Sequence, residues 1–579
     1  MRIGFLRRRR PLVLGAATAL ALGAATAPAI ANASDDHGRG PIRHIVVIYE
    51  ENHSFDNLFG GWEGVNGIDA AAASGHVIQN AKDGTALPCL PQNDLNLSSP
   101  PLPATCHGTV GGTVGGTVVD SAFTNQPFLI DDYIKPTDNT CPAPGVFAPH
   151  GVRKDSAGAL PGGCTEDLVH RYYQEQWQID GGRQDRYVAG SDAVGLSMGR
   201  YDTRSLPIYR YLHSAGAPKY QIADDFFQGA FGGSFLNHQW LIAAAAPVWP
   251  NAVSDGGPAD LHSVVGADGN PGNYPLHPTS GTRDLALTQA ANPDGSCKVT
   301  PGAPTPPAGT VCGDHAVNTI QPTYQPFAPG TPATRQLPPQ TGATIGDRLS
   351  ARGVDWAWYS GGWDNAAGNV GGAGWTNGST PGTCTDPQHI ATSVYPYCPD
   401  KLFQFHHQPF NYYAAYAPGT AARAAHLRDE AEFIAAAKAG TLKPVSFVKP
   451  VGEENEHPGY GSEHNGNDHL VNLIQAIESG PEAKNTAIVV TYDEFGGQWD
   501  HVSPPTGAGV SDVWGPGTRI PALIISPKLA ESVSVDHHEY DTTSIIATIE
   551  HVYRLAPLGT RDAAVRPLTL FGDGDDERD

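Results

Sequence analysis

The sequence predicts a doubly wound α/β fold, a mostly parallel sheet flanked by helices, and three observations carry that prediction. Short, continuous apolar runs recur along the chain, Ala- and Glu-rich helical patterns stand between several of them, and clusters of polar residues follow several of the runs directly. Apolar runs without alternation are what strands buried on both faces require. Strands alternating with helices favour a parallel sheet covered on both sides.

The elements follow in order. His44-Ile45-Val46-Val47-Ile48-Tyr49 is the first buried strand, and Val445 to Val448, Ala487 to Tyr492 and Pro521 to Ser526 are three more of the same kind. Helical spacing of apolar residues covers Glu430 to Lys438, His469 to Ile477 and Thr543 to Leu555. The regions 61–165 and 253–340 are rich in Gly, Pro, Thr and Ser and read as long insertions on one large domain spanning 34–579. Loops of that length are usually functional or lack fixed structure. A separate β domain built from these insertions is the alternative organisation.

Residues 1–33 read as an export signal rather than as part of the fold. Arg7 to Arg10 form a basic region, an Ala/Leu/Gly-rich run follows, and Ala31-Asn32-Ala33 supplies an A-x-A cleavage site before Ser34. The adjacent arginines are also compatible with a twin-arginine route. The expected location is therefore secreted or periplasmic. No later stretch is long and apolar enough for a membrane anchor. The formal net charge is −23, and the signal holds five arginines and no acid, so the mature chain sits near −28. Such a charge repels nucleic acid and anionic membranes at long range.

Eight cysteines fall as sequence neighbours: Cys89 with Cys106, Cys141 with Cys164, Cys297 with Cys312, and Cys384 with Cys398. None has the close pairing of a zinc site, and an exported chain with this pattern is expected to form local disulfides.

Chemistry concentrates at the predicted strand ends, the edge where open α/β sheets bind ligands. Glu50-Glu51-Asn52-His53-Ser54-Phe55-Asp56 follows the first strand, Glu456-His457-Pro458 follows the second, and Asp493-Glu494 with Asp500-His501 follow the third. Carboxylates and an amide converging from separate strands suit a hard divalent cation. In Gln228-Gly229-Ala230-Phe231-Gly232-Gly233-Ser234, glycines precede a serine that can open a helix and meet an anion at its N-terminus. A plain capping serine is the competing explanation of that segment. The nucleophile elbow G-x-S-x-G does not fit, because position 236 is Leu. A formylglycine sulfatase pattern fails as well, because Cys89-Leu90-Pro91-Gln92-Asn93 lacks its arginine.

Beyond these patterns, Tyr49-Glu50-Glu51-Asn52-His53-Ser54-Phe55-Asp56-Asn57-Leu58-Phe59-Gly60 resembles the E-N-x-S-F-D-x-x-F-G signature of the bacterial phosphoesterase family, which holds phospholipases C and secreted acid phosphatases. Thr491 to Gly497 with Asp500 to Pro505 is similar to its T-Y-D-E-x-G-G and D-H-V-x-P-P block, and Gly517 to Pro521 with Ser526-Pro527 to its G-x-R-I/V-P and S-P block. The resemblance runs along nearly the whole mature chain. It implies an alkaline-phosphatase-like fold and hydrolysis of a small phosphorylated substrate. It implies one divalent metal ion held by Glu51, Asn52, Asp493 and Glu494, with Ser234 as nucleophile bridging metal and phosphate. Asn52 and His457 would also bind substrate, and His170, His406, His407 and His457 would line the phosphate site. The nucleophile segment has Ser234 without the following proline, and His238 where the phospholipase branch carries Arg, which is closer to the acid-phosphatase branch. The expected activity is thus an acid-phosphatase-type phosphomonoesterase. A phospholipase C is the first alternative, with Trp356, Trp358, Trp363 and Trp375 as candidates for a choline cage. A non-catalytic surface binding protein is the second.

Overall fold

The computed structural model describes residues 42–91, 104–110, 117–132, 167–191, 193–248, 336–378, 381–507 and 509–570, with a few short pieces between them. The expected signal at 1–33, much of both insertions, and Cys141, Cys164, Cys297 and Cys312 lie outside these residues.

An eight-stranded sheet forms the centre. In chain order its strands are β1 (His44–Glu50), β2 (Tyr220–Ala223), β3 (Trp356–Ser360), β4 (Leu427–Asp429), β5 (Val445–Lys449), β6 (Thr486–Tyr492), β7 (Ala522–Ile525) and β8 (Val533–Asp536). Their order across the sheet is β4-β3-β5-β1-β6-β7-β2-β8. All adjacent pairs are parallel except those made by β7, which runs against both neighbours. The Pro521–Ser526 run, expected as a strand of the parallel type, is thus the reversed strand. Its reversal has a structural consequence. The first residues of an antiparallel strand stand at the edge where the parallel strands end, so Arg519 before β7 reaches the same edge as the residues after β1 and β6.

The strands at the middle of the sheet are apolar because both faces are covered. Ile45, Val46, Val47 and Ile48 of β1 and Ala487 to Val490 of β6 are essentially inaccessible to water, each such side chain stabilising by roughly 1.5–3 kcal/mol relative to exposure. β1 and β6 pair from His44 with Thr486 to Glu50 with Tyr492. This register releases Glu51-Asn52 and Asp493-Glu494 side by side, at the same height.

Six helices matter for the site and its support: α1 (Tyr172–Ile179), α2 (Ser234–Ala243), α3 (Ile345–Arg352), α4 (Glu430–Ala439), α5 (Glu463–Glu478) and α6 (Thr542–Tyr553). α2 packs with α3 and α6, while α5 packs with α4. α5 starts six residues before the His469 expected from periodicity. Ser462 caps it by accepting from Asn465 N, and a side-chain cap of this kind adds about 1 kcal/mol. Asp541 and Ser544 form the corresponding capping box on α6. No described helix is long and apolar enough to cross a membrane.

Two expected disulfides are present, Cys89–Cys106 and Cys384–Cys398. The first ties the described part of the first insertion to an antiparallel hairpin, Cys106–Val110 with Thr117–Ser121.

Candidate active site

The site begins with the turn that presents Ser234. Gly232 has φ +95°, and a Cβ there would lie 2.7 Å from the Tyr172 backbone nitrogen, so only glycine fits. Asn237 holds the turn from inside: its Oδ1 accepts from Ala230 N at 2.9 Å and its Nδ2 donates to Gly232 O at 3.0 Å. Glu175 holds it from outside, accepting from Gly232 N at 2.5 Å and Gln228 Nε2 at 2.9 Å. Ser234 then stands as the first residue of α2, a ten-residue helix, with Gly233 before it. Its Oγ does not cap the helix backbone. It donates instead towards Glu51 Oε2 at 3.1 Å, with Asn52 Oδ1 at 3.3 Å and Glu494 Oε1 at 3.4 Å.

Those three acceptors arrive from the ends of β1 and β6. Asn52 adopts φ +58°, a left-handed conformation that asparagine tolerates better than most residues and that recurs at functional sites. Its backbone N–H donates to Asp493 Oδ1 at 3.0 Å, and Glu494 N donates to the same oxygen at 2.9 Å. A Cβ on Gly496 would come within 2.3 Å of Asn52 O, so the two loops are as close as backbones allow. Gln228 links this loop to the serine turn, its Oε1 accepting from Phe495 N at 3.0 Å.

Three histidines surround the carboxylates. Asn52 Nδ2 donates to His457 Nε2 at 3.1 Å and to His170 Nε2 at 3.3 Å. The Nδ1 atoms of both rings face carbonyls, His170 on Leu168 O at 2.5 Å and His457 on Pro458 O at 2.7 Å. That pattern assigns the Nδ1–H tautomer to each and leaves Nε2 as the acceptor. On the other side His407 Nε2 is 3.0 Å from Glu51 Oε1. His406 packs edge-on against His407 and does not supply a hydrogen bond to Glu51 or Ser234.

Two residues not assigned from sequence complete the wall. His238, one turn after Ser234, donates its Nδ1 to Ser234 O at 2.7 Å and stacks on His407 with centroids 5.1 Å apart. The spacing i, i+4 from Ser234 is the signal that identifies it. Lys449, the last residue of β5, places Nζ 2.5 Å from Glu51 Oε1. Its signal is a charge directly after an apolar run.

The remaining acids of the sequence blocks go elsewhere. Asp56 and Asp500 pair with Arg519 at 3.1 and 3.0 Å, and His501 Nδ1 joins Asp56 at 2.5 Å. Glu456 accepts from Tyr492 Oη at 2.7 Å. His537 lies on Asp224 and His538 on Asp536.

Every group of the site is buried, and burial controls its electrostatics. Burial, then repulsion from Glu51, pushes Asp493 well above the usual carboxylate range; burial and Asp493 do the same to Glu494. Burial opposes ionisation of Glu51 too, but His407 and Lys449 outweigh it and hold Glu51 well below that range. Burial pushes His407 down to about 4, and lowers His170, His238 and His406.

The donor set fits a divalent cation. Glu51, Asn52 and Glu494 bring hard oxygen atoms within 3.4 Å of the Ser234 hydroxyl. Asp493 Oδ2 is buried with no hydrogen-bond partner, a place that a bound ion or water would satisfy.

A sequence model of the phosphoesterase family matches residues 42–556. The chain is 30% identical over 145 residues to non-specific phospholipase C6 of Arabidopsis thaliana, covering 21% of this chain and 28% of that protein. It is 31% identical over 162 residues to phospholipase C B of Mycobacterium tuberculosis (24% and 31%), and 30% identical over 136 residues to non-hemolytic phospholipase C of Burkholderia pseudomallei (20% and 19%). The matches span less than a third of these relatives' own length. Among solved structures, a protein of the alkaline phosphatase superfamily from Vibrio parahaemolyticus is 14% identical with a TM-score of 0.21, over 40% of this chain and 52% of that one. That likeness is too slight to bear on the chemistry.

Proposed function

The chain belongs to the phosphoesterase family, and on that premise we propose that it hydrolyses phosphoric esters, as an acid-phosphatase-type phosphomonoesterase with Ser234 as nucleophile. The observation that carries the reading is the convergence of Glu51, Asn52 and Glu494 on the hydroxyl of a serine that opens a helix. The proposed catalytic unit is one domain over residues 34–579, exported behind the segment 1–33; the two disulfides suit such a compartment.

Glu51, Asn52, Asp493, Glu494 and Ser234 would hold one divalent ion. When bound, it lowers the pKa of the serine hydroxyl and polarises a phosphoryl oxygen. Ser234 attacks phosphorus in line, so that its Oγ–P bond forms while the bond to the leaving oxygen breaks. The positive end of α2 at Ser234 stabilises the charge that spreads over the phosphoryl oxygens, beside the Asn52 side chain. His457 Nε2, an acceptor in the resting site, first takes up a proton from solvent and then gives it to the leaving oxygen, with His170 beside it. Water then cleaves the phosphoseryl ester. His407 and His406 keep the wall behind Glu51 polar and closed.

A phospholipase C reading is favoured by the names of the relatives. Against its choline cage, Trp356, Trp358 and Trp363 are sealed in the core, where Trp358 Nε1 donates to His407 O at 2.8 Å. Turnover of a chromogenic phosphomonoester beside a phosphocholine diester separates the two readings, and a higher kcat/KM on the diester would reverse the preference. Ser234→Ala tests the whole proposal. It should fold, keep bound phosphate, and lose several orders of magnitude in turnover. Near-normal turnover would refute the nucleophile.

A further inference from the structure

Lys449 is buried completely at the end of β5. Its Nζ donates to two backbone carbonyls, Tyr49 O at 2.8 Å and Glu50 O at 3.1 Å, and stands 2.5 Å from Glu51 Oε1. The carbonyls fix the nitrogen in place, and Glu51 is the carboxylate that faces it.

The surroundings of Glu51 Oε1 describe a cation position distinct from that at Ser234. His407 Nε2 stands 3.0 Å and His238 Nε2 3.8 Å from this oxygen. The ligand atoms of Glu51, His238 and His407 lie within 4.8 Å of one another. One carboxylate oxygen and two imidazole nitrogens are a donor set for zinc or a similar ion. His238 Nε2 has no hydrogen-bond partner, although Ser234 O fixes the ring through Nδ1. Glu51 therefore faces two ways, with Oε2 towards Ser234 and Oε1 into this nitrogen-rich corner, where the lysine nitrogen sits.

We propose that Lys449 is a tethered cation that fills a second metal position beside Glu51 and so limits the site to one divalent ion. The inference rests on the reading of Ser234, Glu51, Asn52, Asp493 and Glu494 as the first metal site. A tethered charge has a use there: it keeps Glu51 aimed without depending on the supply of a second metal, and it repels any ion approaching His238 and His407.

The test is a metal count. The purified full-length protein is saturated with Zn²⁺ or Mn²⁺, freed of excess by gel filtration, and analysed by plasma mass spectrometry. One ion per chain is expected, two ions would overturn the role of Lys449, and none would refute the metal reading itself. Lys449→Met, of similar length without the charge, should take up two ions, and adding His407→Ala should return the count to one. Lys449→Arg should stay at one. A folded Lys449→Met that still binds a single ion overturns the proposal. If Lys449→Met does not fold, His407→Ala in the otherwise native chain decides. The count stays at one if Lys449 holds the position, and falls to none if His407 is a ligand of the first ion, which would overturn the proposal.

Discussion

Replacing Arg519 should show how strongly the loops of the site are held. The guanidinium is fully buried over the Phe55 ring and donates to Asp500 Oδ1 at 3.0 Å, Asp56 Oδ1 at 3.1 Å, Asn66 O at 2.7 Å and Asp224 O at 2.8 Å. Arg519→Met removes the charge between two buried carboxylates. Breaking a buried pair costs about 3–5 kcal/mol, and each carbonyl left unpaired away from water adds about 1–3 kcal/mol. The sum approaches the whole stability of an ordinary domain, about 5–15 kcal/mol, so Arg519→Met is expected to unfold at or near room temperature. Arg519→Lys keeps the charge but cannot reproduce the planar fork. It should cost about 1–3 kcal/mol, read as a shift of the urea midpoint at unchanged slope. Adding Asp56→Asn to Arg519→Met should recover stability, because one uncompensated charge disappears. A further loss in the double variant, or an Arg519→Met protein as stable as the parent, would refute this account of the network.

Gly496→Ala should damage the site more than the fold, since its Cβ would press on Asn52 O at 2.3 Å; bound metal and turnover should fall together while circular dichroism stays native. Gly232→Ala should cost about 1–3 kcal/mol from its positive φ alone, with an added clash at Tyr172, measured by thermal melting. Glu478 is pushed up to about 7 by burial alone. Because the folded value lies above the unfolded one, its contribution to stability is complete below about 4.5 and is lost as pH rises through about 7. Glu478→Gln should therefore raise the melting temperature at pH 8 relative to the parent and change it little at pH 4. Removing Cys89–Cys106 by paired alanines should lower stability by roughly 3 kcal/mol and leave turnover untouched.

Part of this molecule was legible in the sequence because its signals are local. β1 and β6 hold uninterrupted apolar runs, β5 one broken only by Ser446, and polar residues appear directly at their ends. The direction of β7 was not legible, since Ala522-Leu523-Ile524-Ile525 reads the same in a parallel or an antiparallel strand; pairing with Thr491 and Ala223 decides it. Helix α5 was recognised late because its first turn, Glu463 to Gly466, is polar and depends on the Ser462 cap. The serine turn was visible as a glycine run, but its support was not. Glu175 accepts from Gly232, Gln228 and Thr518, residues that no window of sequence brings together. With 23 histidines in the chain, spacing alone could not set His406 apart from His407.

The acids at the strand ends divide according to the cation each is offered. Asp56 and Asp500 share Arg519. Glu51 has Lys449. Among the described residues neither Asp493 nor Glu494 pairs with a lysine or an arginine. Their nearest basic partners are the rings of His238 at 3.7 Å and His170 at 3.4 Å, and burial lowers both rings below the ordinary histidine range. Two adjacent buried carboxylates without a protein cation can stay folded in two ways: as neutral acids, or around an ion. Neutral acids suit the ion-free protein, in which burial holds both groups well above the usual carboxylate range. A divalent ion would balance both charges and give Asp493 Oδ2, buried with no hydrogen-bond partner, a role. Charge accounting therefore supports the ion position proposed from the convergence on Ser234, and it does so without reference to the serine.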